Sequence, residues 1–397
     1  MARLAEEPAE RSFARNVRLD STSQVSYTVE PWGVFVLVRS TGSTRRLERS
    51  FEARIGARPP EVFKNVITQV GPPYPLVVSG GTRIVGNVAL GPAGVTAGEI
   101  AGRVFNGREM VEGQITVVTA AAVPRIDRSQ LDEFLSLLQQ RKLNAYVTDV
   151  SIVIRDAGDL YSDGGRSHHD QRARADLEIE TGKSVIDGHG TMLFSDRSVR
   201  VLGSGKLINL VVEAERVSIG QSAILNECII VADRIELTAD ASFSGQIIVR
   251  DTLVVDERAR LQKPCLIALS GEAHADKNRG LVEVTSQKLC ESVFIYGVSS
   301  KGAGADEEAG LLRIGSKSVV RGLIWWEGLV ELSGKLQGAA VVRLFSHVEP
   351  PTIYLNWIVD AEVQYNDLDE NLTFPLMMPG QWWPKAIGLR NSSGRND

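Results

Sequence analysis

Residues 229–264 read IIVADRIELTADASFSGQ followed by IIVRDTLVVDERARLQKP. The two 18-residue halves share few identities, yet apolar, small and charged residues fall in the same columns. At that period Leu193, Val211, Ile229, Ile247 and Cys265 form one column, Val199, Val217, Ile235 and Leu253 a second, and Val201, Ile219, Leu237 and Val255 a third. A small column of Gly205, Ala223, Ala241 and Ala259 precedes a large one of Leu207, Leu225, Phe243 and Leu261. Within a turn, Ile229/Val231, Ile235/Leu237 and Ala241/Phe243 start six residues apart, and the members of each pair are two apart. Residues two apart on a strand share a face. The pattern therefore predicts a mainly β chain whose body is a parallel β-helix, a solenoid of triangular 18-residue turns with aliphatic ladders inside.

Two later turns are longer. The surplus fits GEAHADKNRG (271–280) and SSKGAGADEEAG (299–310), polar and glycine-rich segments that read as loops leaving one corner. Glu213 falls in the column of Val231 and Val249, which predicts a local shift of register. The segment 75–123 has the same short, glycine-punctuated texture and is expected to supply the first solenoid turns. Residues 124–170 form a helical insert and polar loop. Its helix, SQLDEFLSLLQQRKLNAY, opens on a capping box of Ser129 and Asp132 and carries Leu131, Phe134, Leu135 and Leu138 at helical spacing. The main solenoid is expected over 171–350. Residues 1–74 read as a helix followed by a small antiparallel β unit, and 351–397, with Trp357, Trp382 and Trp383, as a cap closing the open end of the coil.

Beside the inward ladder runs a further apolar column, Phe194, Val212, Ile230, Ile248 and Leu266, at positions expected to face outward. Such a stripe seats either an intramolecular element, for which the helix is the candidate, or another chain. Trp325, Trp326, Trp382 and Trp383 are the aromatic residues that a glycan-binding alternative would use.

The chain has 397 residues, 43% hydrophobic and 23% charged, enough for a sizeable core. A formal charge of −5 supplies no basic footprint for nucleic acid or for an anionic membrane surface. No apolar run reaches the roughly 18 residues of a membrane span, and MARLAEEPAERSFARNV has no secretory h-region. The chain as given is thus expected to be soluble. Three cysteines, Cys228, Cys265 and Cys290, do not suggest a disulfide framework. Cys228 and Cys265 lie two turns apart, about 9.6 Å along the axis, beyond the roughly 7 Å limit for bridging.

Chemistry is sparse. Asp163, His168, His169 and Asp170 share one polar loop, but their spacing matches no closed metal site. His189 in DGHG reads as a turn residue. GSGKL (203–207) lacks the spacing and the Ser/Thr of a phosphate loop. Asp233, Glu236, Asp240, Asp251, Asp256 and Glu257 alternate with Arg234, Arg250 and Arg258 on outward columns, a pattern of solvated rungs rather than of converging catalytic acids. No cofactor, no metal and no enzymatic activity are expected.

The regular turn resembles bactofilin-type and hexapeptide-type solenoids. The order of a helix, a β unit with EPWGVF (30–35), the stretch PLVVSGGTRIVGNVALGPAGV (75–95), a helical insert, a long solenoid and a tail is similar to a group of uncharacterised bacterial envelope proteins. Those proteins begin with a pilin-like hydrophobic helix anchored in the inner membrane, and this sequence departs from them there. The resemblance implies a periplasmic structural or assembly protein of the cell envelope, a minor component of a pilus-like or secretion assembly. It would contact other envelope proteins or copies of itself, and a membrane only through an anchor absent from this chain. The alternatives are a glycan-binding or polysaccharide-cleaving β-helix and a bactofilin-like polymer-forming scaffold.

Overall fold

The computed structural model describes residues 13–45, 47–57, 59–69, 74–119, 123, 126, 128–162, 167–168, 170–220, 222–238, 240–270, 280–297, 310–365, 374–375 and 385–391. The described chain is mainly strand, with one α-helix, Ser129–Asn144, and short 3-10 turns at Glu61–Lys64 and Ala157–Leu160. It divides into two compact units, one of residues 1–60, 124–140 and 371–397, the other of 61–123 and 141–370. No helix among the described residues is long and apolar enough to cross a membrane.

The first unit holds an antiparallel sheet of Phe13–Arg18, Gln24–Trp32, Phe35–Ser43, Glu48–Gly56 and Lys385–Asn391, in that order. Its tightest turn joins Trp32 to Phe35 through Gly33, whose φ of 61° suits a residue without Cβ. The fifth strand comes from the far end of the sequence, so residues 385–391 are sheet rather than part of a solenoid cap.

In the second unit almost all strands pair in parallel with the next passage of the same chain. The strand Ser242–Val255 shows how. Ser242 and Phe243 lie beside Arg260 and Leu261, Gln246–Val249 beside Leu266–Leu269, and Thr252–Val255 beside Leu281–Val284. One 14-residue strand thus makes three separate runs of pairing. The hydrogen-bonded network consequently closes on itself.

Two of these runs keep the 18-residue register. Val199, Val217, Ile235 and Leu253 are successive partners, as are Leu207, Leu225, Phe243 and Leu261. The third run slips. Leu193 pairs with Val212, Ile230 with Ile247 and Ile247 with Ile267, so the expected ladder of Leu193, Val211, Ile229, Ile247 and Cys265 is not one column. The slips coincide with irregularities next to Cys228, Gly245 and Val293. At Gly245 (φ 128°) a Cβ would stand 2.0 Å from the Cys228 carbonyl oxygen, and at Gly322 (φ 154°) 1.9 Å from that of Val293. Glycine bulges therefore take up the extra residues on this face.

With the true register, one column holds Tyr146, Gln171, Leu193, Val212, Ile230, Ile247, Ile267, Ile295, Ile324, Ala340, Ile67, Val88 and Ile115. From Leu193 to Val88 every member belongs to a single buried cluster. Twelve rung spacings of about 4.8 Å make this column about 58 Å long.

The column does not follow chain order. Ile67–Gln69, expected in the N-terminal module, stack beyond Ala340–Val342 at the far end, followed by strands of 75–123, the segment expected as the first turns, while the rungs begin at Tyr146. Residues 357–364, expected as cap, are rungs themselves: Trp357–Val359 pairs with Val77–Ser79, and Glu362–Gln364 with both Lys335–Gln337 and Arg83–Val85. The two parts of this parallel stack meet at a joint no local turn crosses. Asn356 pins it. This residue is buried at φ 64°, donates from Nδ2 to the Pro75 carbonyl at 2.8 Å, and accepts from the Val77 amide at its own carbonyl.

Both inserts leave one corner: rungs end at the partners Leu269 and Gly297 and resume at the partners Leu281 and Leu311. The inserts (271–279 and 298–309) lie outside the described residues. Mid-column packing dictates the first test. Ile267→Ala, at a site with no exposed surface, is expected to lower unfolding free energy by about 2–5 kcal/mol in urea titration.

Candidate interaction face

Side chains alternate across the slipping face. Between the interior positions lie Phe194, Glu213, Val231, Ile248, Ala268, Tyr296, Trp325 and Val341, successive partners that belong to no part of the interior cluster. Flanking them are Val211, Ile229, Gln246, Leu266, Phe294 and Leu323. These positions point away from the coil interior, and all of them are buried.

The five residues of the predicted stripe do not share a face. Val212 and Ile230 belong to the interior cluster, whereas Phe194, Ile248 and Leu266 are on the outer side. The one-residue changes of register between Leu193 and Val212 and between Ile230 and Ile247 account for the division. All five are buried within the chain, so the stripe is not an open surface. Within the same unit part of the cover comes from Phe63 on the 3-10 turn, whose ring meets Phe294 at 6.5 Å and Trp325 at 6.0 Å, both edge to face. Thr68 Oγ1 fixes that turn by donating to the Val62 carbonyl at 3.1 Å.

At the other end of the face the cover is ionic. Lys142, in the last helical turn, reaches Glu213 at 3.6 Å and Asp196 at 3.7 Å. Arg250 reaches Glu213 at 3.3 Å and Asp233 at 3.1 Å, and Arg141 makes two 2.7 Å bonds to Asp170. Glu213, the residue that breaks the apolar pattern, is thus a buried carboxylate between two cations on the outer side. Bonded by the Arg172 guanidinium and near Lys142, the Asp196 carboxyl sits below the usual carboxylate range. The helix carries its own buried positions Leu131, Phe134 and Leu138.

The tryptophan candidates divide as well. Trp325 and Trp326 are buried, and Trp326 donates from Nε1 to the Gly310 carbonyl at 3.2 Å. Gly297 makes room for that indole, since a Cβ there would lie 2.7 Å from the ring. Neither tryptophan offers a free face to a sugar. Trp382 and Trp383 lie outside the described residues, as do Asp163 and His169. Asp170 is committed to Arg141 and to the Met192 amide. Among the described residues no three His, Cys, Asp or Glu side chains gather as metal ligands.

Outward charges pair between rungs, as the alternation suggested: Asp233 with Arg250, Asp251 with Arg234, Asp240 with Arg258. In GSGKL, Leu207 is interior and a Cβ on Gly205 would sit 2.4 Å from the Ser184 carbonyl. His189 adopts φ 46° in a turn. The cysteines are buried and are not joined in disulfides. Burial pushes the Cys290 thiol up to about 11 and raises Cys265 as well. A surface groove of about 330 Å³ between Arg260–Lys263 and Leu289/Glu291 carries both signs of charge.

No known protein family and no curated protein matches this chain. Among solved structures it is similar to the competence-associated pilin ComZ from Thermus thermophilus, at 10% identity and a TM-score of 0.22, over 96% of this chain and 88% of that one. At that score the architecture rests on the strand registers alone.

The buried charges supply the next test. Removing both cations, Lys142→Met with Arg250→Met, is expected to cost about 3–5 kcal/mol of stability, and adding Glu213→Leu to restore part of it. Urea titration of the three proteins reads this directly; a triple variant no better than the double contradicts it.

Proposed function

We propose that this protein is a non-enzymatic structural or assembly protein of the bacterial cell envelope, on its periplasmic side. Its second unit is a β-solenoid of triangular turns, and its work is to hold protein-binding surfaces at fixed separation within a pilus-like or secretion assembly. The observation that carries this reading is the column from Tyr146 to Ile115. The interior is occupied by packed apolar side chains, and several outward carboxylates pair with arginines of neighbouring rungs. Rigid columns of this kind suit spacing and presentation. Burial of Trp325 and Trp326 leaves those two rings no open face for a sugar, which supports this reading over glycan recognition.

Two measurements separate the alternatives. Incubated with a polysaccharide panel, the full chain is expected to release no reducing ends and to give no signal on a glycan array. Cross-linked in its native bacterium, it is expected to be recovered joined to components of a surface assembly. Reducing-end release, or recovery as a lone monomer, contradicts the proposal.

A further inference from the structure

Both ends of the column are open. Its internal members Leu193 to Val88 are sealed, but Ile115 is 50% exposed and Tyr146 73%, although each occupies the same inward column. Val117, in the column of buried Leu90, is 71% exposed. These are core positions that lack the next rung.

Among the described residues the backbone edges have no partner in the matching places. At one end the Val118 amide donates to Leu90 and the Val88 amide to Gln114. Alternation then turns the N–H and C=O of Ile115 and Val117 away from the stack. At the other end the Tyr146 amide donates to Asp170 and the Arg174 amide to Thr148, which turns the N–H and C=O of Val147 outward. A second face repeats this: among the described residues Val95–Ala97 pairs only with Leu76–Val78, and Ile152–Ile154 only with Leu177–Ile179.

From this geometry we infer that the two ends join head to tail, so that the edge at 115–117 is completed by the edge at 146–148 of a second copy of this chain. The inference deepens the assembly reading and rests on it. Continuing the column places Ile115 beside Tyr146 of the next copy. The Val147 amide then donates to the Ile115 carbonyl, and the Val117 amide to the Val147 carbonyl. Strand direction is satisfied automatically, because every rung in the column is parallel. The protein already contains a joint of this sort: Ala340–Val342 and Ile67–Gln69 pair in register with no turn connecting them. Since the two joining surfaces differ, the contact is heterologous and propagates along the axis, and the unpaired strand edges supply the hydrogen bonds.

The test uses the full chain in sedimentation velocity and negative-stain microscopy over a range of concentrations. Wild type is expected to form rods that lengthen with concentration. Val117→Lys and Val147→Lys, both at exposed side chains, are each expected to lose every species larger than a monomer. An equimolar mixture of the two retains one intact pair of ends and should stop at a dimer. Val117→Pro and Val147→Pro, which remove an edge N–H that no internal rung uses, should behave like the lysine variants. Wild type that stays monomeric overturns the joint, as do oligomers indifferent to all four substitutions. Reducing-end release with intact rods would instead overturn the assembly reading and leave the joint standing.

Discussion

A parallel rung has hydrogen-bonding groups on both edges, and each buried N–H and C=O must find a partner above and below. The second unit meets that demand by returning the chain beside itself, so that most internal strands are completed by their own continuation. Alternation then does the rest. One set of side chains stacks into a closed interior, the other is thrown onto the outer faces, and a rung can be lost only by stripping partners from both neighbours. The joint at Ala340/Ile67 shows that the demand concerns geometry and not connectivity, since two stretches far apart in sequence complete each other as well as successive turns do.

Much of this was legible in the sequence, and the limits have physical causes. The columns of Val199 and Leu207 were read correctly because those faces contain no bulge. The column of Leu193 was misread because a period of 18 averages over slips of one or two residues, and a slip of one exchanges inside for outside. The glycines that permit the slips, Gly245 and Gly322, were visible as glycines; their clash with the preceding rung exists only in three dimensions. Equally hidden was the order of the stack. Texture marked 75–123 as coil, but nothing local to PLVVSGGTRIVGNVAL says which end of the column it joins. Residues 385–391 carry no alternation that would announce the fifth strand of the antiparallel sheet.

The candidate face was legible as a stripe and illegible as a site. Apolar residues at outward positions announce that something covers them, and Phe63, an isolated aromatic before Ile67, turns out to be part of the cover. Glu213 carried the clearest local signal, an acid in an aliphatic column. Its meaning depended on Lys142 and Arg250, which lie on other elements.

The continuity of the coil through the unconnected joint is the claim on which the architecture stands, and a disulfide can read it. Arg83 and Glu362 are register partners across that joint, whereas Gln364 is the partner of Val85. Adjacent rungs place Cα atoms about 4.8 Å apart, within bridging range, and an offset of two residues takes them beyond about 7 Å. Mild oxidation should therefore cross-link Arg83→Cys with Glu362→Cys and leave Arg83→Cys with Gln364→Cys reduced. Equal cross-linking of both pairs, or none in the first, would contradict the joint and the stack built on it.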